Sequence, residues 1–367
     1  MSRQAPPEAP KKKRPMSSPK SPKPSPKKEA RQKEPGCRPY NQVDFSGVIV
    51  ENERIHSFLR MNDFLNSLAS EEVGSMGKVF NNPIQFSKGE SAVAFRIKID
   101  PSLGISSKVI ADNKNARSEI AYYRMFTENL LRRNGCPNFP LVSRCEQCDA
   151  CTVTKTYGSV TTQIPILKEK CFTLFSELAD GDLDSIVGDM SSEEVLGMIL
   201  QVWMACATLE RRGLVHNDLH FGNILYHAEE AERANKGRWL WYRDGKDDIY
   251  VKHTGTLWVL WDFGMMVENG QKETRDGEPF VVNNTFIDDI TGRFFPLLKK
   301  RFRKGSAYDV SLVTYTHPFI EVFDDLLVEN TSIIDVLNLL AYNNYYEMIR
   351  SERTDDMDVI NSRPYIV

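Results

Sequence analysis

The chain has 367 residues, 41% hydrophobic and 26% charged, the balance of a folded globular protein with room for one two-lobed domain plus appendages. No apolar run is long enough to cross a bilayer, and the first 38 residues lack the apolar core of a secretory signal, so a membrane-spanning or disulfide-built secreted protein is not expected. The net charge of −3 hides a split: residues 1–38 hold eight Lys and four Arg against three Glu, a net of +9, which leaves −12 on the rest.

Residues 1–40 are rich in Pro, Ser and Lys and cannot bury a core, so disorder is expected. Lys11-Lys-Lys-Arg14 resembles a short nuclear-import signal. Ser18-Pro-Lys20, Ser21-Pro-Lys23 and Ser25-Pro-Lys27 repeat one S-P-K unit, similar to linker-histone tails and to sites of proline-directed kinases. On that reading the tail binds DNA or RNA phosphates weakly and in a salt-dependent way. Phosphates on the three serines would cancel most of its charge. The competing reading is a solvated spacer.

From Asn41 to Leu68 the apolar residues Ile55, Phe58, Leu59, Phe64, Leu65 and Leu68 fall at helical spacing. Val73-Gly-Ser-Met-Gly-Lys-Val-Phe80 reads as a glycine-bearing strand turn. Ala92 to Ile99 reads as a strand in which Arg96 and Lys98 share a face. Ala116 to Phe126 reads as an amphipathic helix carrying Glu119. Cys136, Cys145, Cys148 and Cys151 cluster next, and the 7 cysteines of the chain are expected as reduced thiols. A zinc ion on those four is the second reading and an iron–sulfur cluster the third.

Cys171 to Leu183 reads as an apolar strand running into a turn. Ser191-Ser-Glu-Glu194 is a capping box, opening a helix that runs through Val195, Ile199, Val202 and Leu209 and stops at Gly213. Beyond a charged, helix-prone stretch from Glu229 to Lys236, Trp239–Tyr242 and Ile249–Val251 flank Asp244-Gly245 as a hairpin. Further large-lobe segments are expected at Phe286–Ile290 and Lys299–Arg303, and an amphipathic helix from Ile333 to Ile349. Met357–Val367 reads as a loose end.

The chemistry concentrates in Gly213-Leu-Val-His-Asn-Asp-Leu-His-Phe-Gly-Asn-Ile-Leu225, where His216, Asp218 and Asn223 form H-x-D-x-x-x-x-N. Downstream, Trp258-Val-Leu-Trp-Asp-Phe-Gly264 puts D-F-G behind an apolar strand. A carboxylate can orient an attacking hydroxyl and accept its proton, and oxygen donors can hold the metal ions that phosphates need.

These motifs resemble the catalytic and metal loops of the protein kinase superfamily, most closely the serine/threonine kinases of large nucleocytoplasmic DNA viruses. The D-L-H-x-G-N form is shared with haspin-like kinases and with aminoglycoside or choline phosphotransferases. His220 stands where most kinases have lysine or arginine, and no A-P-E follows the D-F-G. The resemblance implies a two-lobed α+β kinase fold. Residues 41–178 would form the small lobe, and 179–356 the large lobe with an insertion at about 227–257. It implies Asp218 as base, Asn223 and Asp262 as metal ligands, and Lys98 paired with Glu119 to hold the phosphates. Gly74, Gly77 and Val79 would cover ATP, although Glu72 stands where the first glycine belongs. Ser176 would be the gatekeeper, Glu177 to Ala179 the adenine hinge, and Asp182 a ribose contact. The implied cofactors are ATP and Mg2+ or Mn2+, and the implied substrates are proteins inside a host nucleus or cytoplasm, with packaging in a virion a further option. A small-molecule phosphotransferase and a weakly active scaffold with a nucleic-acid-binding tail are the competing functions. Asn217 replaces the arginine that often answers activation-loop phosphorylation, so activity without phosphate at Thr274 or Thr285 is expected.

Overall fold

A computed structural model of the chain describes residues 36–268, apart from 49, 81, 89–91, 101–102 and 158. It also describes 274–275, 278–279, 296, 326, 332–343 and 347–367. Residues 1–35 of the basic tail, Phe286–Ile290, Lys299–Arg303 and Thr285 lie outside the described residues, while the end of the tail, expected disordered to residue 40, is ordered from 36 and forms a strand at Cys37–Pro39.

In chain order the first elements are β1 (Cys37–Pro39), α1 (Glu53–Asn66), α2 (Ser70–Gly74), β2 (Ile84–Lys88), β3 (Ala92–Asp100), β4 (Leu103–Ala111) and α3 (Lys114–Arg133). Then come β5 (Val142–Cys148), β6 (Cys151–Tyr157), β7 (Val160–Leu167) and β8 (Cys171–Glu177). Five of these strands join β1 in a six-stranded antiparallel sheet of order β1-β5-β8-β4-β3-β2, while β6 and β7 form their own hairpin. The central strand β4 is buried almost continuously, as a strand covered on both faces must be. Helix α1 starts where Asn52 accepts a hydrogen bond from the Ile55 amide, and its Ile55, Phe58, Met61 and Leu65 are buried. Helix α3 is capped by Asn113 and ends at Asn134, whose φ of +53 is the left-handed stop that asparagine tolerates.

The second half contains β9 (Gly181–Asp182), α4 (Leu183–Ile186), α5 (Ser192–Arg211), β10 (Leu214–Val215), β11 (Ile224–His227), α6 (Glu230–Ala234), β12 (Trp239–Asp244), β13 (Asp247–Lys252), β14 (Leu257–Leu260) and β15 (Val267–Glu268). Two short strands, β16 (Thr274–Arg275) and β17 (Glu278–Pro279), precede α7 (Ile333–Tyr342), β18 (Ile349–Arg350) and β19 (Tyr365–Ile366). The Ser191–Glu194 capping box is present, and α5 is buried on every side from Val195 to Leu209, so it is a core helix. Gly213 follows it with φ +66, a turn that only glycine makes without strain. The 239–251 hairpin forms in the register Trp241↔Tyr250. Buried Asn138 ties the halves of this region together: its Nδ2 donates to Trp258 O at 2.8 Å, and its Oδ1 accepts from Tyr242 Oη at 2.8 Å.

Four further expectations change. Residues 73–80 make no strand turn: they finish α2 and enter a single 3-10 turn at Lys78–Phe80. Not all cysteines are free, because Cys37 is bonded to Cys148 and Cys151 to Cys171, leaving buried Cys136, Cys145 and Cys206 as thiols. The proposed zinc set of Cys136, Cys145, Cys148 and Cys151 is therefore not assembled. The end of the chain is docked, since β19 pairs in parallel with β12 and Ile366 N donates to Asn134 O at 2.7 Å. Finally, the last helix stops at Tyr342, seven residues short of Ile349. Among the described residues no helix is long and apolar enough to cross a membrane.

Candidate active site

A cleft of about 510 Å3 opens beneath the β2–β3 hairpin, within the size range of small-molecule sites. Phe86, Ala92 and Ala94 line it from the hairpin, Lys108 from β4, and Asn223 and Asp262 from the opposite side. Its central feature is one cation shared by two carboxylates. Lys108 Nζ donates to Glu119 Oε1 at 2.6 Å and to Asp262 Oδ1 at 2.9 Å. Burial disfavours the ammonium, but Glu119 and Asp262 outweigh it and hold Lys108 charged well beyond its ordinary range. Burial pushes Glu119 up, an effect that Lys108 offsets in part. Burial also opposes ionisation of Asp262, yet the charge and hydrogen bond of Lys108 overcome it and hold that carboxyl low. Asp262 is thus the anion kept ready at the cleft.

This corrects the lysine. Lys98 is exposed on β3 and faces Gly104 across the β3–β4 pair, away from Glu119. Glu119 pairs as expected, but with Lys108. The glycine motif is also displaced. A Cβ on Gly74 would lie 2.4 Å from the sulfurs of Cys37 and Cys148, and one on Gly77 would meet the Glu72 backbone, so both glycines serve packing away from the cleft. Val79 is exposed in the 3-10 turn and does not line the cleft. The hairpin β2–β3 takes the covering position, with its connection at 89–91 outside the described residues.

Asp262 sits at φ +63, and its Oδ1 also accepts from Gly264 N at 3.4 Å. A side chain at 264 would meet Asp262 Oδ1 and Glu119 Oε2 at 3.3 Å, which explains the glycine. Phe263 is buried among the rings of Tyr123, Phe126, Phe139 and His216. Tyr123 does more than pack. Its Oη accepts from Asp262 N at 3.1 Å and hydrogen-bonds the Glu119 carboxylate. Burial raises the phenol far above its usual range, so it stays protonated and donates to Glu119.

The loop from 216 to 223 is fastened to the segment that carries Asp262. His216 Nδ1 accepts from Asp218 N at 3.3 Å, so the ring proton belongs on Nε2, which donates to Trp261 O at 2.9 Å. Asn223 Nδ2 donates to Asp218 O at 2.9 Å and lies 3.3 Å from Asp218 Oδ2, which ties the carboxylate to a residue that lines the cleft, although Asp218 itself does not line it. His220 Nδ1 accepts from Gly222 N at 3.1 Å, leaving Nε2 3.6 Å from the other side of Asp218 Oδ2.

Ser176, Glu177, Ala179 and Asp182 all line the cleft. Asp182 Oδ1 caps α4 by accepting from Ser185 N at 2.9 Å. The Glu177 side chain is a buried anchor. Arg54 of α1 grips it from Nε at 2.9 Å and Nη2 at 2.5 Å, and donates to Pro137 O and Phe139 O at 2.6 and 2.7 Å. His227 sits 3.7 Å away on the same carboxylate, and burial holds it below its usual range. Arg54 and Tyr123 were not foreseen. The only sequence signal for either is a polar group on the buried face of an apolar helix.

No protein-family model matches this chain. Among curated proteins, the "Putative serine/threonine-protein kinase 019R" of Frog virus 3 (isolate Goorha) is 24% identical over 266 residues. The match covers 67% of this chain and 29% of that protein, so the chain spans less than a third of its relative's length. The mixed α+β fold is compatible with a kinase, and the chain stands in a kinase-like relationship to this viral protein.

Proposed function

We propose that this chain is an ATP-dependent serine/threonine protein kinase of two-lobed architecture, with 41–178 as small lobe and 179–356 as large lobe. The observation that carries the reading is the Lys108–Glu119–Asp262 triangle facing an H-x-D-x-x-x-x-N loop across one cleft. Charged Lys108 contacts the α- and β-phosphates. The backbone at Leu178 and Ala179 receives the adenine. The donor set fits magnesium: Asp262 is held ionised, and Asn223 commits its Nδ2 to Asp218, which turns its amide oxygen toward the cleft. When bound, Mg2+ neutralises charge on the phosphates. Asp218 orients the substrate hydroxyl and takes its proton, and His220 stands beside it in place of a lysine.

The test is transfer from labelled ATP to a mixed protein panel and, in parallel, to a panel of sugars, choline and aminoglycosides. Asp262→Asn should lose at least about 100-fold in turnover, as removal of a charge-stabilising group does, with an unchanged circular dichroism spectrum. Full activity in that variant, or transfer only to small molecules, would overturn the reading. The tail is proposed to bind nucleic acid. Deleting residues 1–35, which leaves β1 and Cys37 in place, should weaken DNA binding at low salt and nuclear accumulation while sparing peptide phosphorylation.

A further inference from the structure

The four cysteines in disulfides form one corner. Strands β1, β5 and β8 are neighbours, with Cys37 opposite Cys148 and Cys148 opposite Cys171. Directly opposed residues of antiparallel strands project from the same face. Cys148-Asp-Ala-Cys151 then forms the two-residue turn between β5 and β6, returning a fourth sulfur to the same place.

The end of α2 closes over this face. The Gly74 backbone comes so near that an added Cβ would sit 2.4 Å from both Cys37 and Cys148 Sγ. Thr173, two residues beyond Cys171, donates to Gly74 O at 3.2 Å and lies 3.6 Å from Cys151 Sγ. Cys171 Sγ lies 3.9 Å from Cys148 O, so the two disulfides adjoin. Cys148, Cys151 and Cys171 are fully buried. Cys145, an odd number of residues before Cys148 on β5, projects from the other face, and Cys136 bonds Asn138 instead.

We propose that these four cysteines are a zinc site in the reduced protein, and that the two disulfides are its oxidised, metal-free form. Among the described residues no group of three or more His, Cys, Asp or Glu side chains stands ready to hold a metal. These four do so only when their disulfides open. Zinc–thiolate bonds of about 2.3 Å in a tetrahedron put sulfurs roughly 3.8 Å apart. The opposed pair Cys37 and Cys148, with Cα atoms 4.1 Å apart, and a C-x-x-C turn both allow that spacing. Four sulfurs with no oxygen donor select zinc over magnesium or calcium. Two equivalents of a dithiol reduce the two disulfides to four thiols and are themselves oxidised. Zn2+ then displaces four protons to give the tetrathiolate. Oxidation by peroxide or a small disulfide removes four electrons, restores the two disulfides and releases the ion. The disulfides tie β1 to β5 and β6 to β8, and zinc would join the four strands at one point beside β8, the neighbour of the strand that carries Lys108.

The experiment uses the full chain, purified under a dithiol reductant from zinc-supplemented cells. Elemental analysis should find about one zinc per chain. Cobalt substitution should give the visible bands of a tetrahedral tetrathiolate. Cys148→Ser and Cys171→Ser should each lose the metal, while Cys136→Ser and Cys206→Ser should retain it. Peroxide titration of the wild-type protein should release zinc in step with the loss of four thiols, a readout that needs no variant to fold. The proposal is overturned if the reduced protein holds less than about 0.1 zinc and takes up no cobalt. It is equally overturned if Cys148→Ser keeps the metal, if the bound metal is iron, or if zinc leaves without loss of thiols.

Discussion

Arg54→Ala removes the cation that anchors the Glu177 carboxylate beneath the cleft. Both side chains are largely buried, at 9% and 11% exposure, so solvent screens this pair little. Burial opposes both charges, and each is held ionised mainly by the other. Taking away one partner of such a pair costs about 3–5 kcal/mol, because the remaining charge is left desolvated. That is a large share of a total near 5–15 kcal/mol. A melting temperature lower by roughly 5 °C should follow. The stranded carboxylate keeps the hydrogen bond from Leu141 N to Glu177 Oε1 at 2.8 Å and the nearby His227. Glu177→Gln keeps an acceptor there without the charge, so the double variant Arg54→Ala/Glu177→Gln should regain at least about 1 kcal/mol over Arg54→Ala alone. The pH dependence has a definite sign. In the wild type Glu177 is held below its unfolded value, so its contribution is present above the unfolded carboxylate range and fades as pH falls through the folded value. In Arg54→Ala burial dominates and raises Glu177, so the deficit should be greatest at neutral pH and shrink in acid. Urea unfolding followed by tryptophan fluorescence at several pH values measures all of this. A loss under about 1 kcal/mol, or strictly additive effects in the double variant, would refute the reasoning.

Lys108→Met should reduce turnover by about 100-fold or more, while Lys98→Met, on an exposed side chain, should stay within about threefold; the opposite order in phosphotransfer assays would restore Lys98 to the site. Tyr123→Phe removes the bridge between Glu119 and the Asp262 amide, so the Asp262 N–H should exchange with solvent roughly fivefold faster, the equivalent of about 1 kcal/mol; unchanged exchange would reduce Tyr123 to packing. Complete dephosphorylation, verified by mass spectrometry, should leave the initial rate within about tenfold, or roughly 1.4 kcal/mol. A larger loss, recovered by phosphate at Thr274 or Thr285, would show a switch that Asn217 does not predict.

What was legible in the sequence was local. Asp218 and Asn223 share one short loop, Asp262 follows one strand, and the Ser191 cap and Gly213 stop need only nearest neighbours. Glu119 was legible because α3 is amphipathic. The lysine was not, and the reason is periodicity. Ile97 is buried and Lys98 is exposed because alternate residues leave opposite faces of β3. Flanking isoleucines therefore argue against Lys98 as an inward group. On β4 both faces are covered, so Ser106, Ser107 and Lys108 are all buried and leave no alternation to read. The glycines misled because Gly74 serves close packing against sulfur, a need that a motif cannot separate from phosphate approach. The Cys37–Cys148 contact spans 111 residues and depends on which strands become neighbours. Arg54 meets Glu177 across 123 residues for the same reason.

The loop that carries Asp218 and the segment that carries Asp262 are joined by three bonds that need no modification. His216 Nε2 donates to Trp261 O, Trp261 N donates to Asn223 O at 2.8 Å, and Asn217 Nδ2 donates to Met265 O at 3.4 Å. Asn217 is 1% exposed at φ +62, a conformation that asparagine tolerates better than arginine does. Position 217 itself offers a phosphate only a neutral, buried amide where an arginine would offer a cation. On the proposed kinase reading, the amide of Asn217 and the carbonyl of Met265 take the place of the phosphate–arginine link. Phe263 supports the same junction from beneath, packed on Tyr123 and His216, and the Tyr123 hydroxyl ties Asp262 to the carboxylate that holds Lys108. Asp218, Asp262 and Lys108, the proposed base, metal-binding carboxylate and phosphate-binding lysine, are thereby tied to one buried core. Disturbing that core acts on stability and catalysis together, whereas a modification at the surface finds no charged group at position 217 through which to act.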